Sequence, residues 1–91
     1  MGLELIPVEL PKDVPIAPLS FILTAEAATE FDDLTRCGRD DELVRQIANA
    51  WPNVFRQGQF IPAVEYLRAN RVRWQLMQEM EQRLAGVDTY V

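Results

Sequence analysis

The longest regular pattern of apolar and polar positions runs through residues 60–91, FIPAVEYLRANRVRWQLMQEMEQRLAGVDTYV. Between Pro62 and Leu84 no Gly and no further Pro interrupts it, and strong helix formers such as Ala63, Glu65, Leu67, Ala69, Leu76 and Met77 dominate. Pro62 suits the first turn of a helix, where a missing N–H is no loss. Gly86 supplies the stop, and Arg83 sits in the last turn, where it complements the helix dipole. The spacing predicts one helix over residues 62–85, roughly 35 Å long at 1.5 Å per residue. On a helical wheel Val64, Tyr66, Leu67, Trp74, Met77 and Leu84 share one broad side. Val72, Leu76 and Met80 widen the apolar arc past half the circumference. A helix packed on one neighbour shows a stripe only about 100–150° wide, so this one is expected to be covered on several sides.

The remainder of the chain reads in shorter pieces. Residues 3–8, LELIPV, form an apolar run interrupted by Glu4, which predicts a short strand with Pro7 at its end or on a sheet edge. Pro11, Pro15 and Pro18 punctuate a loop, and Pro18 is well placed to open a helix over residues 18–36. There Phe21, Ala25, Ala28, Phe31 and Leu34 recur at three- and four-residue spacing, and Gly38 is the expected left-handed cap. The middle of this helix, Ala25-Glu26-Ala27-Ala28, carries small side chains that let another backbone come close. Residues 39–49 read as a single helical turn or an ordered surface loop. Trp51-Pro52-Asn53 reads as a break, with Asn53 capping a short helix over residues 54–59. Residues 88–91 alternate in the manner of a second strand. The expected class is therefore an α/β fragment, mostly helical, with short strands at 3–8 and 88–91. Two short isolated strands are marginal in water, so a piece of a larger α/β protein is preferred over a self-contained α+β domain.

Composition changes this picture little. The 91 residues suffice for one small domain, residues 1–91, with 48% hydrophobic and 25% charged residues and a net charge of −5. Eight Arg and one Lys, with no basic block, argue against nucleic acid or an anionic membrane as a direct partner. No apolar run is long enough to cross a bilayer, and the first residues lack the layout of a secretory signal. Met1-Gly2 is followed by Ile6 where a myristoylation motif needs Ser or Thr. The single Cys37 allows no internal disulfide and fits a reducing cytoplasm, and with no His a structural zinc site is not expected.

What is missing weighs more than what is present. One Ser, one Lys, one Cys and no His leave no Ser–His or Cys–His pair, and four scattered Gly make no phosphate loop. No catalytic residue, no cofactor site and no metal site is assigned. The acidic pairs Asp32-Asp33 and Asp40-Asp41, and Glu79 with Glu81, read as solvated helix faces rather than as acid–base pairs. Cys37, beside Arg36, reads as a passive residue at a helix end. Trp51, Phe60, Tyr66 and Trp74 are candidate pocket aromatics, although aromatics at helical spacing are more often core. Arg56, Arg68, Arg71 and Arg73 form the most basic region, suited in principle to clamp a carboxylate, although solvent exposure or pairing with Glu65 and Glu81 is the more usual role for any one of them.

Two blocks, TAEAATEFDDLTRCGRDDELVRQ and AWPNVFRQGQFIPAVEYLRANRVRWQLMQEMEQRLAGVDTYV, together resemble the C-terminal part of the amidase-signature enzymes. The shared pieces are an Ala/Glu-rich helix, a Leu-Thr-Arg-x-Gly-Arg-Asp-Asp turn at 34–41 and a Phe-Ile-Pro-Ala-Val-Glu-Tyr opening at 60–66. An Ala-x-x-x-Arg element at 69–73 and a Val-Asp-x-x-Val end at 87–91 complete the likeness, and the opening GLELIPVELP is similar to the strand that precedes this region. The resemblance implies part of an α/β/α enzyme that hydrolyses carboxylic amides through a Ser–cis-Ser–Lys triad. In the family, both serines and the lysine lie N-terminal to the part matched here. Ser20 is therefore not the nucleophile and Lys12 is not the base. The implied role is structural, with Arg56, Phe60 and Tyr66 as candidates for the substrate-channel wall and a small amide as substrate of the intact enzyme. The implied partner is the rest of the amidase domain, with self-association through apolar helix faces as the alternative. A segment of an Asp/Glu-tRNA amidotransferase A subunit ranks second, because the Phe-Ile-Pro-Ala-Val-Glu-Tyr opening looks more like general amidases. A non-enzymatic self-associating module is the third reading.

Overall fold

A computed structural model describes residues 2–91. Among the described residues there is no strand, and the regular structure is helical throughout: α1 (Leu19–Glu30), α2 (Asp32–Arg36), a 3₁₀ turn (Arg39–Glu42), α3 (Trp51–Gly58) and α4 (Ala63–Leu84). The expected α/β class is thus replaced by an all-helical one. The cause lies in what a strand requires. Residues 3–8 and 88–91 have the composition of strands but no neighbouring strand to take their N–H and C=O groups. Their side chains stand in solvent instead: Leu3, Leu5, Tyr90 and Val91 are all largely exposed.

Helix boundaries also move for local reasons. The helix expected over 18–36 breaks at Phe31, whose φ of −102° and ψ of 23° leave the helical region. Two features accompany the break. Thr29 Oγ1 donates back to the Ala25 carbonyl at 2.8 Å, a bond that bends helices. The Phe31 ring is drawn onto Phe55, with ring centroids 4.7 Å apart. α3 starts three residues before the expected helix because Pro52 falls in its first turn, where no N–H is needed. Asn53 does not cap it, and its Nδ2 donates to the Ala48 carbonyl at 2.8 Å. Residues 39–49 hold only the one 3₁₀ turn and no longer helix. Gly38 takes the expected left-handed conformation, with φ 77°. Past the end of α4, Ala85 (φ −58°, ψ 122°) and Gly86 (φ 87°) form a type II turn closed by Val87 N–H on the Leu84 carbonyl at 3.0 Å.

α1 is the hub, packing on both α3 and α4. Gly58 and Ala28 make the first contact possible: a Cβ built on Gly58 would overlap the Ala28 methyl and stand 3.0 Å from the Thr24 carbonyl oxygen. The buried apolar residues are Val14, Ile22, Ala28, Ala50, Phe55 and Ala69, a set short of large side chains. Ala69, the one buried residue of α4, is small enough to let that helix close on its neighbour. Before α1, residues 2–13 carry no helix or strand; Arg83 Nη1 of α4 donates to the Glu9 carbonyl at 2.9 Å and ties the two together.

The outcome is extended, with principal extents of 56 × 34 × 19 Å and a radius of gyration of 18.4 Å. A compact domain of this length has a radius of gyration of about 12 Å. The accessible surface is 7684 Å², against about 5,400 Å² for a folded chain of this mass.

Candidate functional site

Two concavities flank the α1–α3 contact. The larger is an open cleft of about 780 Å³ between α1, the end of α3 and the start of α4. Ala25, Ala28, Gly58, Ile61 and Ala63 give it apolar walls, which follows from the small residues that bring the helices together. Its polar groups divide into two sets. Asp32, Arg36 and Gln59 are already engaged with one another: Arg36 Nε donates to Asp32 Oδ2 at 2.6 Å and Gln59 Nε2 to Asp32 Oδ1 at 2.9 Å. The Arg36 bond, and after it the Gln59 bond, holds the Asp32 carboxyl below its ordinary value of 3.8. Glu26, Glu30 and the Tyr66 hydroxyl line the cleft without a side-chain hydrogen bond among the described residues.

The smaller concavity, about 320 Å³, is almost wholly apolar and is formed by Ala27, Phe31, Leu34, Leu43, Trp51 and Phe55. Trp51 stacks on Phe55 at a centroid distance of 5.7 Å, and Phe55 in turn on Phe31. Next to Phe55 in α3, Arg56 makes the shortest ion pair among the described residues. Arg56 Nε donates to Asp40 Oδ2 at 2.5 Å, and its Nη2 to Asp41 Oδ1 at 2.7 Å. Asp40 is buried, 4% exposed, whereas Asp41 lies in solvent. The left-handed Gly38 turns the chain so that Asp40 and Asp41 face α3, and Gln46 Nε2 secures the turn by donating to the Asp40 and Leu43 carbonyls at 2.9 and 2.8 Å.

The three residues expected at a channel wall are therefore not brought together. Tyr66 lines the cleft. Arg56 has its guanidinium taken by the two aspartates, and Phe60 is 85% exposed and borders neither concavity. Of the other aromatics, Trp51 lines the slot and Trp74 stands on the open surface. Asp40-Asp41, read as part of a solvated face, is half of a structural clamp instead.

The chain's one Ser and one Lys are both occupied locally. Ser20 Oγ donates to the Ala17 carbonyl at 2.9 Å in the first turn of α1, and Lys12 Nζ pairs with Glu9 at 3.4 Å. Cys37 is exposed at the end of α2, its Sγ 3.5 Å from the Leu34 carbonyl. No helix among the described residues is long and apolar enough to cross a membrane. The arrangement comprises an apolar-walled cleft with carboxylates and a phenol, and an aromatic slot. Comparison with known protein families, curated proteins and solved structures finds no match to this chain.

Proposed function

We propose that the chain is a helical segment of an amidase-signature domain. It supports an enzyme that hydrolyses carboxylic amides at the C–N bond, releasing ammonia or an amine, and is inactive by itself. The observation that carries this reading is the uncovered apolar surface. A chain with a radius of gyration of 18.4 Å, where about 12 Å is usual, leaves most of its large apolar side chains in water. Monomeric proteins rarely expose contiguous apolar patches of this kind without a partner. The quoted likeness to the amidase-signature C-terminal region supplies the identity of that partner, namely the rest of the domain. Residues 2–13, residues 85–91 and the Trp51 slot are the surfaces that would meet it. The engaged states of Ser20 and Lys12 accord with a segment that supports rather than performs the chemistry.

The test has two arms. The coding frame upstream of Met1 is expected to encode a Gly/Ser-rich stretch with two serines and a lysine; a frame without it overturns the proposal. The purified chain is expected to release no ammonia from simple amides above background. Turnover abolished by no change other than unfolding would contradict the inactive-alone reading.

A further inference from the structure

The most continuous uncovered feature is the outer side of α4. The sheltered side of the helix carries Tyr66, Ala69, Val72, Leu76 and Met80 at helical spacing. Val64, Leu67 and Trp74 lie on the opposite side and Met77 at its edge beside Tyr66, each 57 to 64% exposed. Two charges share this stripe and have no ion-pair partner among the described residues. Arg71 sits between Leu67 and Trp74, and Glu81 lies one turn past Met77. Positions 67, 71, 74, 78 and 81 alternate in steps of four and three, the spacing of a helix–helix seam, with Leu67 and Trp74 as its apolar members and Arg71, Gln78 and Glu81 as polar ones.

We propose that this stripe seats a second copy of the chain, its α4 running antiparallel. The charges choose the direction. A parallel pair would set Arg71 against Arg71 and Glu81 against Glu81, which is repulsive at both points. An antiparallel pair with its two-fold axis beside residue 76 sets Arg71 against Glu81 of the second copy, twice. The same register lays Trp74 beside Met77 and Gln78 of the second copy, and Leu67 beside the small Ala85. Trp, Met and Arg are also the residue types enriched at interface centres. α1 packs on α4 and leaves Val64, Leu67, Trp74 and Met77 exposed. The pairing is a property of the chain by itself and goes beyond the amidase reading. A missing upstream serine stretch would leave it intact, and a monomeric chain would leave the amidase reading intact.

Sedimentation equilibrium of four proteins tests it: wild type, Arg71→Glu, Glu81→Arg and the double exchange. Wild type is expected to show a monomer–dimer equilibrium. Each single reversal places like charges together twice and is expected to weaken the dimer about tenfold or more, and the double exchange to return it to within about threefold of wild type. Both substituted positions are exposed, and unchanged far-ultraviolet circular dichroism verifies that each variant keeps its helices. A wild type monomeric at every concentration, open-ended association, unaffected single variants or an unrescued double exchange would each overturn the proposal.

Discussion

Around Gly58, α1 and α3 meet at backbone distance, three aromatic rings stack, and Arg56 reaches two aspartates. Along α4, by contrast, one side is sheltered and the other carries Leu67, Trp74 and Met77 into water. Both regions are helical and both are rich in apolar residues. They differ in having a neighbour of matching shape. At Gly58 small residues on two helices face each other, so the side chains around them interlock. On the outer side of α4 the apolar residues are as large and as regularly spaced, but the chain supplies nothing to cover them. Periodicity shows that a helix has a face to bury; only complementary residues elsewhere show that the chain buries it.

The comparison breaks most readily at the contact itself. Gly58→Val pushes branched carbon into the Ala28 methyl and the Thr24 carbonyl, neither of which can rotate away. The expected loss is about 3 kcal/mol, at the upper end of the usual overpacking cost. Urea unfolding followed by circular dichroism measures it, and a loss within experimental error would deny the close crossing. Next comes Arg56→Ala, which leaves the buried Asp40 carboxylate without its cation. Arg56 is partly exposed and Asp41 fully accessible, so the expected cost is about 2 kcal/mol, below the range for a fully buried pair. Asp41→Ala, by contrast, is expected to cost less than about 0.5 kcal/mol. Equal effects of the two would show that burial of Asp40 is not what distinguishes them.

Across the comparison, Trp74→Ala removes the largest side chain of the outer stripe. At concentrations where the chain is monomeric it is expected to change stability by less than about 0.5 kcal/mol, because an exposed side chain leaves no cavity. A loss like that of Gly58→Val would mean that the stripe is packed within the chain. The smallest effect expected is one of pH. Arg36, and then Gln59, hold the Asp32 carboxyl below its ordinary value. A carboxyl depressed by folding contributes stability that is present above its unfolded value and is lost as pH falls through its folded one. Wild type should therefore lose a contribution below about pH 4 that Asp32→Asn never had. Acid titrations of the two, read by circular dichroism, should converge there; parallel curves would remove Asp32 from the α2–α3 contact.

The helical part of this arrangement was largely legible. α4 covers Ala63–Leu84 where the spacing predicts residues 62–85, because a long stretch without Pro or Gly has few alternatives. The left-handed turns at Gly38 and Gly86, and the small residues of α1 that admit a second backbone, follow from local chemistry as well. The strands were not legible because alternation describes one segment, whereas a strand is a relation between two. Arg56 and Asp40 are sixteen residues apart, joined by a turn and a loop whose path no periodicity encodes. Among the channel-wall candidates, Tyr66 follows its helix into the cleft, while Arg56 is held by Asp40 and Asp41, partners that sequence spacing does not place beside it.

Small-angle X-ray scattering on a dilution series, extended to where the chain is monomeric, addresses the central claim most directly. The claim is that a closed α1–α3 contact carries a long helix and terminal segments left uncovered. The limiting radius of gyration is expected near the 18.4 Å of the structure. A limiting value near the compact expectation of about 12 Å would show the outer face of α4 folded back against the chain, and would contradict it.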